Sequence, residues 1–146
     1  MSYIYKTTDL KRYTFPTHIN DLIFDRSEAS SSEAFMVVLH EGQATPLHQH
    51  PDTEQIFYVL EGHGILTISG AEKTTGPLVP GDVVRVPPST LHSIAADGGS
   101  IRYLSIDCFG SAQDRLESTW DEHVKAVCQE RGWSYDEVAA EAGAAQ

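Results

Sequence analysis

Cysteine is scarce. Cys108 and Cys128 are the only two, their spacing fits no zinc or redox motif, and two thiols build no disulfide framework. Buried free thiols in a reducing compartment are the simplest reading. Basic residues are few as well: 10 Lys and Arg stand against 21 Asp and Glu, a formal net charge of -11. Such a surface repels phosphate backbones and anionic membranes, which argues against nucleic-acid and membrane partners. Anionic small molecules stay open, because a local cation can dominate a pocket. Long apolar runs are missing too; a run such as Phe35 to Leu39 is far too short to span a bilayer. The opening Met-Ser-Tyr-Ile-Tyr-Lys lacks the basic-then-apolar order of a secretory signal. The expectation is a soluble cytoplasmic protein. Aromatic and β-branched residues recur throughout, unlike a disordered chain, and 146 residues are most economically one domain.

What is present is a β pattern. Residues 1–34 form a lead-in with two short strand candidates, Arg12 to Phe15 and Asn20 to Phe24, and a polar loop from Ser27 to Glu33. His18 lies there and is given a structural or solvent role. Phe35 to Leu39 reads as a buried strand. The stretch around His48 and His50 is interrupted by Pro46 and Pro51, so any strand there is short or at an edge. Gln55 to Leu60 is the strongest strand pattern. Glu61-Gly62-His63-Gly64 reads as a turn that folds Ile65 to Ile68 back as a hairpin. Further turns fall at Ser69 to Glu72 and at Pro80-Gly81-Asp82, followed by a strand over Val83 to Val86. His92 to Ala95 and Ile101 to Ile106 read as two strands around an Asp97-Gly98-Gly99 tip. Short strands with turn signals about every ten residues predict an all-β sandwich or barrel over residues 35–110.

A helical period enters only afterwards, in residues 111–146. Ser118 or Thr119 caps a helix with Asp121 and Glu122 in its first turn. Trp120, Val124, Val127 and Cys128 form its apolar stripe, and Gly132 stops it. Ser134-Tyr135-Asp136-Glu137 opens a shorter helix, and the chain frays from Ala142. The helices are expected to pack on the outside of the β unit. Edges left bare by the lead-in strands predict a homodimer.

The chemistry sits in the histidines. His48 and His50 are two apart, so in extended backbone both imidazoles face one way. Glu54 and Gln55 follow, and His92 comes after Pro87 and Pro88. Three imidazoles plus one oxygen donor are what a divalent transition metal takes, here Fe, Mn, Zn or Ni. The alternative, neutral imidazoles facing a core, leaves them needing partners. Glu54 and Gln55 alternate on a strand, so only one can join the histidines. His40, His63 and His123 read as structural or solvated. Arg85 and Arg102 sit in strands, where solvent is the usual place for a charge; turned inward, either would fork a substrate carboxylate. Tyr103 has the opposite parity to Arg102, so at most one reaches a pocket. Glu54, Arg85, Arg102 and Tyr103 are the further site candidates, with no catalytic role assigned.

These residues resemble the cupin superfamily, over roughly residues 35–107. Gly42, His48, His50 and Gly62 stand in the register of its first motif, and Gly81, Pro87 and His92 in that of the second. Ser89 replaces the second motif's Gly and Ala96 its final Asn. Counting back from Gly62, the motif's acidic position falls on Gln55 rather than Glu54. The resemblance implies a jelly-roll β-barrel of the cupin-2 type with a short C-terminal helical extension. It also implies one metal on His48, His50, Gln55 and His92. Gln at the acidic position is known in the superfamily among sugar-uronate lyases and some oxygenases. The implied function is a metal-dependent enzyme acting on a small hydroxy or keto acid or a sugar-acid-like substrate, by isomerase or lyase chemistry or as an Fe(II) dioxygenase. The alternative is a non-catalytic metal- or ligand-binding sensor module.

Overall fold

Strand-forming residues recur along the chain and pair into one antiparallel sheet in the computed structural model, which describes residues 2–110 and 117–140. Its strands are β1 (Lys11–Thr14), β2 (Ile19–Phe24), β3 (Ser32–Leu39), β4 (Thr53–Ser69), β5 (Lys73–Leu78), β6 (Val83–Val86) and β7 (Leu91–Phe109). Two helices follow, α1 (Trp120–Arg131) and α2 (Tyr135–Val138). The expected fraying from Ala142 lies outside the described residues. None of the described helices is long and apolar enough to cross a membrane.

The strand order is β1-β2-β3-β7-β4-β5, with β6 added to β4. The end strands β1 and β5 do not pair with each other, so the sheet is an open path. This corrects the expected jelly-roll barrel. The reason is visible at β5. Lys73, Thr74, Thr75 and Pro77 are exposed, so burial gives no drive toward closure. Pro77 also lacks the N–H that a further ladder would need.

The two long strands correct two expected turns. Glu61 to Gly64 is not a hairpin; β4 runs straight through it. Residues 97–100 are not a hairpin tip either, because the two halves of β7 pair with β4 and not with each other. Gly62 pairs with Ile101 and Gly64 with Ala96. Only His63 lies between the glycines, opposite the whole 97–100 segment, an irregularity in the pairing of the two strands. Gly62 has a φ of 81°, and a Cβ there would run into the carbonyl oxygen of Ser100. The first half of β4 therefore pairs with β6 and the second half of β7, and its second half with β5 and the first half of β7.

Alternation then decides what faces inward. Thr53, Gln55, Phe57 and Val59 are buried on β4, and Ile101, Tyr103, Ser105 and Asp107 on β7. The helix obeys its sequence signals. Thr119 accepts from the Glu122 amide, Gly132 takes the left-handed conformation, and Trp120, Val124 and Cys128 are buried. Trp120 meets Phe35 of β3 at 4.6 Å and Tyr13 of β1 at 6.3 Å between ring centroids. One face of α1 thus rests on the first strands of the sheet.

Candidate metal site

Pro46 and Pro51 confine the segment between them to a single bridge rather than a strand. The His48 amide donates to the His92 carbonyl at 3.1 Å and the His92 amide to the His48 carbonyl at 2.9 Å. In an antiparallel pair, directly opposed residues send their side chains to the same face. The His48 and His92 rings accordingly lie 4.3 Å apart. His50, two residues on, returns to that face with its ring 5.1 Å from His48. Its carbonyl is pinned by the Ser89 amide at 2.7 Å. One donor atom from each of His48, His50 and His92 falls within 4.8 Å of the others. They line a cavity of about 430 Å³.

The hydrogen bonds settle which ring nitrogens are free. His48 donates from Nδ1 to the Pro46 carbonyl at 2.6 Å, and His92 from Nδ1 to the Thr90 carbonyl at 2.8 Å. A carbonyl only accepts, so each Nδ1 carries the hydrogen and each Nε2 offers a lone pair. Nε2 of His50 is buried with no partner among the described residues. Burial pulls His50 down to about 3 and His92 to about 4, with neighbouring histidines adding to the effect. Burial lowers His48 in the same way. All three are neutral imidazoles at physiological pH.

Gln55 lies beside them. It is 5% exposed, and its Nε2 donates to Asp107 Oδ1 at 2.8 Å. Its Oε1 lies 2.7 Å from Nε2 of His92. With Nδ1 of His92 as the donor, that contact brings two lone pairs together. A divalent cation among these atoms removes the conflict and gives the orphaned His50 nitrogen a partner, so the residues fit a bound metal. Glu54 points the other way, paired with Arg85 at 2.9 Å on the outer face.

The remaining candidates scatter. Arg102 lies 3.9 Å from Glu61, away from the histidines. Tyr103 does reach the cavity wall, packed 5.1 Å from Phe57, and burial raises its phenol. Two histidines were missed. His18, expected to be structural or solvent-facing, lines the cavity, stacked on Phe15 at 4.7 Å and held by Thr17 Oγ1 at 2.8 Å. Burial lowers it to about 3, with His48 and Arg131 contributing. His123, expected in solvent, also lines the cavity, 5.4 Å from Trp120. Its place three residues after Trp120, on the flank of the apolar stripe, was a usable signal. For His18 no pattern pointed inward.

Behind Gln55 lies a buried ionic group. Arg26 forks Glu33 at 2.7 and 2.8 Å, and Glu33 is hydrogen-bonded to Asp107. Glu33 is raised to about 8, first by burial and then by Asp107; the Arg26 fork only partly offsets this. The native state therefore holds a proton that the unfolded chain, with Glu33 near 4.5, gives up. That contribution is fully present below the unfolded value and is lost as pH rises through about 8. Thermal melts should show stability falling with pH over that window, and Glu33→Gln should flatten the fall. Parallel curves for the two proteins would exclude Glu33 as its source.

Comparison with known proteins places the chain. Residues 35–107 match the cupin domain family, and the chain belongs to it. An uncharacterised protein of Methanocaldococcus jannaschii is 38% identical over 72 residues, 49% of this chain and 53% of that one. Quercetin 2,3-dioxygenase of Bacillus subtilis is 29% identical over 114 residues, 76% of this chain and 32% of that one. The chain thus spans about half, or less, of these relatives' lengths. Among solved structures, KdgF from Halomonas sp. superposes with a TM-score of 0.65 at 20% identity, covering 80% of this chain and 100% of that one. At that identity the likeness is one of fold.

Proposed function

We propose that this chain is a metal-dependent enzyme acting on a small hydroxy or keto acid, or a sugar-acid-like substrate. Its metal ligands are His48, His50, Gln55 and His92, and its metal is one of Fe, Mn, Zn or Ni. The observation that carries the reading is the convergence of lone pairs in the cavity: one Nε2 without a partner among the described residues, and another facing an amide oxygen at 2.7 Å. A divalent ion held there supplies Lewis acidity, polarising a carbonyl or hydroxyl and lowering the pKa of water. Four neutral donors leave its charge uncompensated.

The chain's own residues supply the rest. Val37, Phe57 and Tyr103 wall the cavity with apolar surface, which strengthens electrostatics inside by excluding water. Arg131 lines it from the last turn of α1, beside Glu130. Its charge is felt at His18 and His48. In a chain of net charge -11, such a guanidinium is a natural seat for a substrate carboxylate. The sequence likeness to a dioxygenase supports oxygenase chemistry over the redox-neutral isomerase or lyase alternative. A homodimer belongs to the same proposal, supported by β1, which stands at the end of the strand order; sedimentation at micromolar concentration reads it directly.

The test is metal content after purification under reducing, anaerobic conditions, followed by oxygen uptake with hydroxy and keto acids. One metal per chain and acid-dependent uptake are expected. Metal with acid binding but no turnover would leave the sensor reading instead. Within the ligand set, Gln55→Ala should weaken metal binding without abolishing it, since three histidines remain. Glu54→Ala should leave metal content unchanged, because its side chain is on the outer face with Arg85. Elemental analysis showing the reverse order would flip the inward assignments along β4.

A further inference from the structure

The two ends of the Gln55 amide are nearly the same size, so shape alone does not decide which faces the histidines. Chemistry does. Were the amide turned over, its NH₂ would donate to the lone pair of His92 Nε2, and the site would close on itself. We propose that Asp107 is a positioning residue that prevents this. It accepts from the Gln55 NH₂ and so holds the amide oxygen toward the histidines, leaving the His92 lone pair open. The inference rests on the metal reading above.

The support is a row of side chains across three strands. Gln55 of β4 is directly opposite Asp107 of β7, and Asp107 is directly opposite Glu33 of β3. Directly opposed residues share a face, so the three side chains line up. Gln55 Nε2 reaches Asp107 Oδ1 at 2.8 Å. Asp107 is hydrogen-bonded in turn to Glu33. Glu33 is held by both arms of the Arg26 fork at 2.7 and 2.8 Å, and Arg26 also donates to the Glu117 carbonyl at 3.3 Å. Exposures of 4% for Arg26, 0% for Glu33 and 5% for both Asp107 and Gln55 leave little access for bulk water as a substitute partner. The Asp107 carboxyl therefore cannot swing away, and an acceptor is fixed where the amide nitrogen must go. Turning the amide would set its oxygen against an Asp107 oxygen. Buried donors and acceptors left mismatched in this way are costly. Asp107 acts through Gln55 and need not touch a substrate.

The experiment titrates Co²⁺ into the parent, Asp107→Ala, Asp107→Asn, Gln55→Ala and the Gln55→Ala/Asp107→Ala double variant, reading affinity and the visible spectrum. Asp107→Ala should bind about tenfold more weakly, within the ~10–100-fold that supporting partners of metal ligands contribute. Its spectrum should move toward that of Gln55→Ala, and the double variant should be no weaker than Gln55→Ala alone. Asp107→Asn should keep most of the affinity, because its amide oxygen still accepts from Gln55. Parent-like affinity and spectrum in Asp107→Ala, or losses that add in full in the double variant, would overturn the proposal. If Asp107→Ala does not fold, the parent decides. With ¹⁵N-labelled glutamine, the Gln55 side-chain amide protons should be protected from exchange before and after Zn²⁺ is added. Freely exchanging protons in either state would count against Asp107. A parent that binds neither ion would sink the metal reading itself, while freely exchanging amide protons would separately overturn the Asp107 contact.

Discussion

Replacing His92 with alanine should leave the protein folded and empty of metal. His92 holds the centre of the site. Its ring is 2% exposed, lies 4.3 Å from the His48 ring and brings Nε2 to 2.7 Å from the Gln55 oxygen. Without it, His48 and His50 face Gln55 across a gap, and two neutral imidazoles plus one amide oxygen are a weak set for any first-row metal. The loss in affinity should exceed the ~10–100-fold typical of a supporting partner, because a proposed direct ligand is removed. The backbone bridge between His48 and His92 does not use the ring, so the fold has no reason to open. Elemental analysis beside a circular dichroism spectrum separates the outcomes. A folded His92→Ala protein with parent-like metal content would remove the three-histidine site from consideration.

Much of the histidine cluster was legible because its spacing is short. The two-residue step from His48 to His50 sets both on one face wherever the backbone is extended. The alternation of Glu54 and Gln55 set up a choice with physical content, and the two now sit on opposite faces, with Arg85 and with Asp107. What was not legible depended on distant partners. Glu33 read as the end of a polar loop, yet it is wholly buried, because Arg26 and Asp107 reach it from elsewhere. Single charged residues in a strand are ordinarily solvent-facing, and no local pattern announces that three of them meet inside. His18 joins the cavity through the path of the lead-in chain, which periodicity does not describe.

The fold divides similarly. Each run of β-branched and aromatic residues read as a strand overlaps one, and the caps of α1 sit on Thr119 and Gly132. The glycines misled. Gly62 and Gly64 read as a reversal, but their role is close approach to β7, where a side chain at Gly62 would collide with the Ser100 carbonyl. Gly98 and Gly99 have positive φ within an irregular stretch of a continuing strand. A glycine gives freedom of φ without saying whether the chain uses it to turn or to bulge. Closure of the sheet was beyond local reading altogether, since it depends on whether the first and last strands meet.

Trp120→Ala should produce the largest loss of stability of any single truncation in α1. The indole is 3% exposed, 4.6 Å from the Phe35 ring and 6.3 Å edge-on from Tyr13. Its backbone amide donates to the Asp25 carboxylate at 3.1 Å, so the start of the helix is tied to the sheet from both sides. Removing so large a buried ring costs about 3–5 kcal/mol, transfer and cavity together. Trp120→Phe should cost much less, for a specific reason. The indole Nε1 is buried without a hydrogen-bond partner among the described residues, so phenylalanine loses area but also removes an unsatisfied donor. Urea unfolding of the three proteins checks both claims: a large drop in midpoint for alanine and a small one for phenylalanine. Equal midpoints for Trp120→Ala and the parent would mean that α1 is not docked through this ring. Metal content offers an independent reading, because the proposed ligands come from β4, β7 and the segment before β4, none of them from the helix. Trp120→Ala, while still folded, should therefore keep its metal and lose shielding of the cavity, where His123, Val127 and Arg131 are held in place by the same helix.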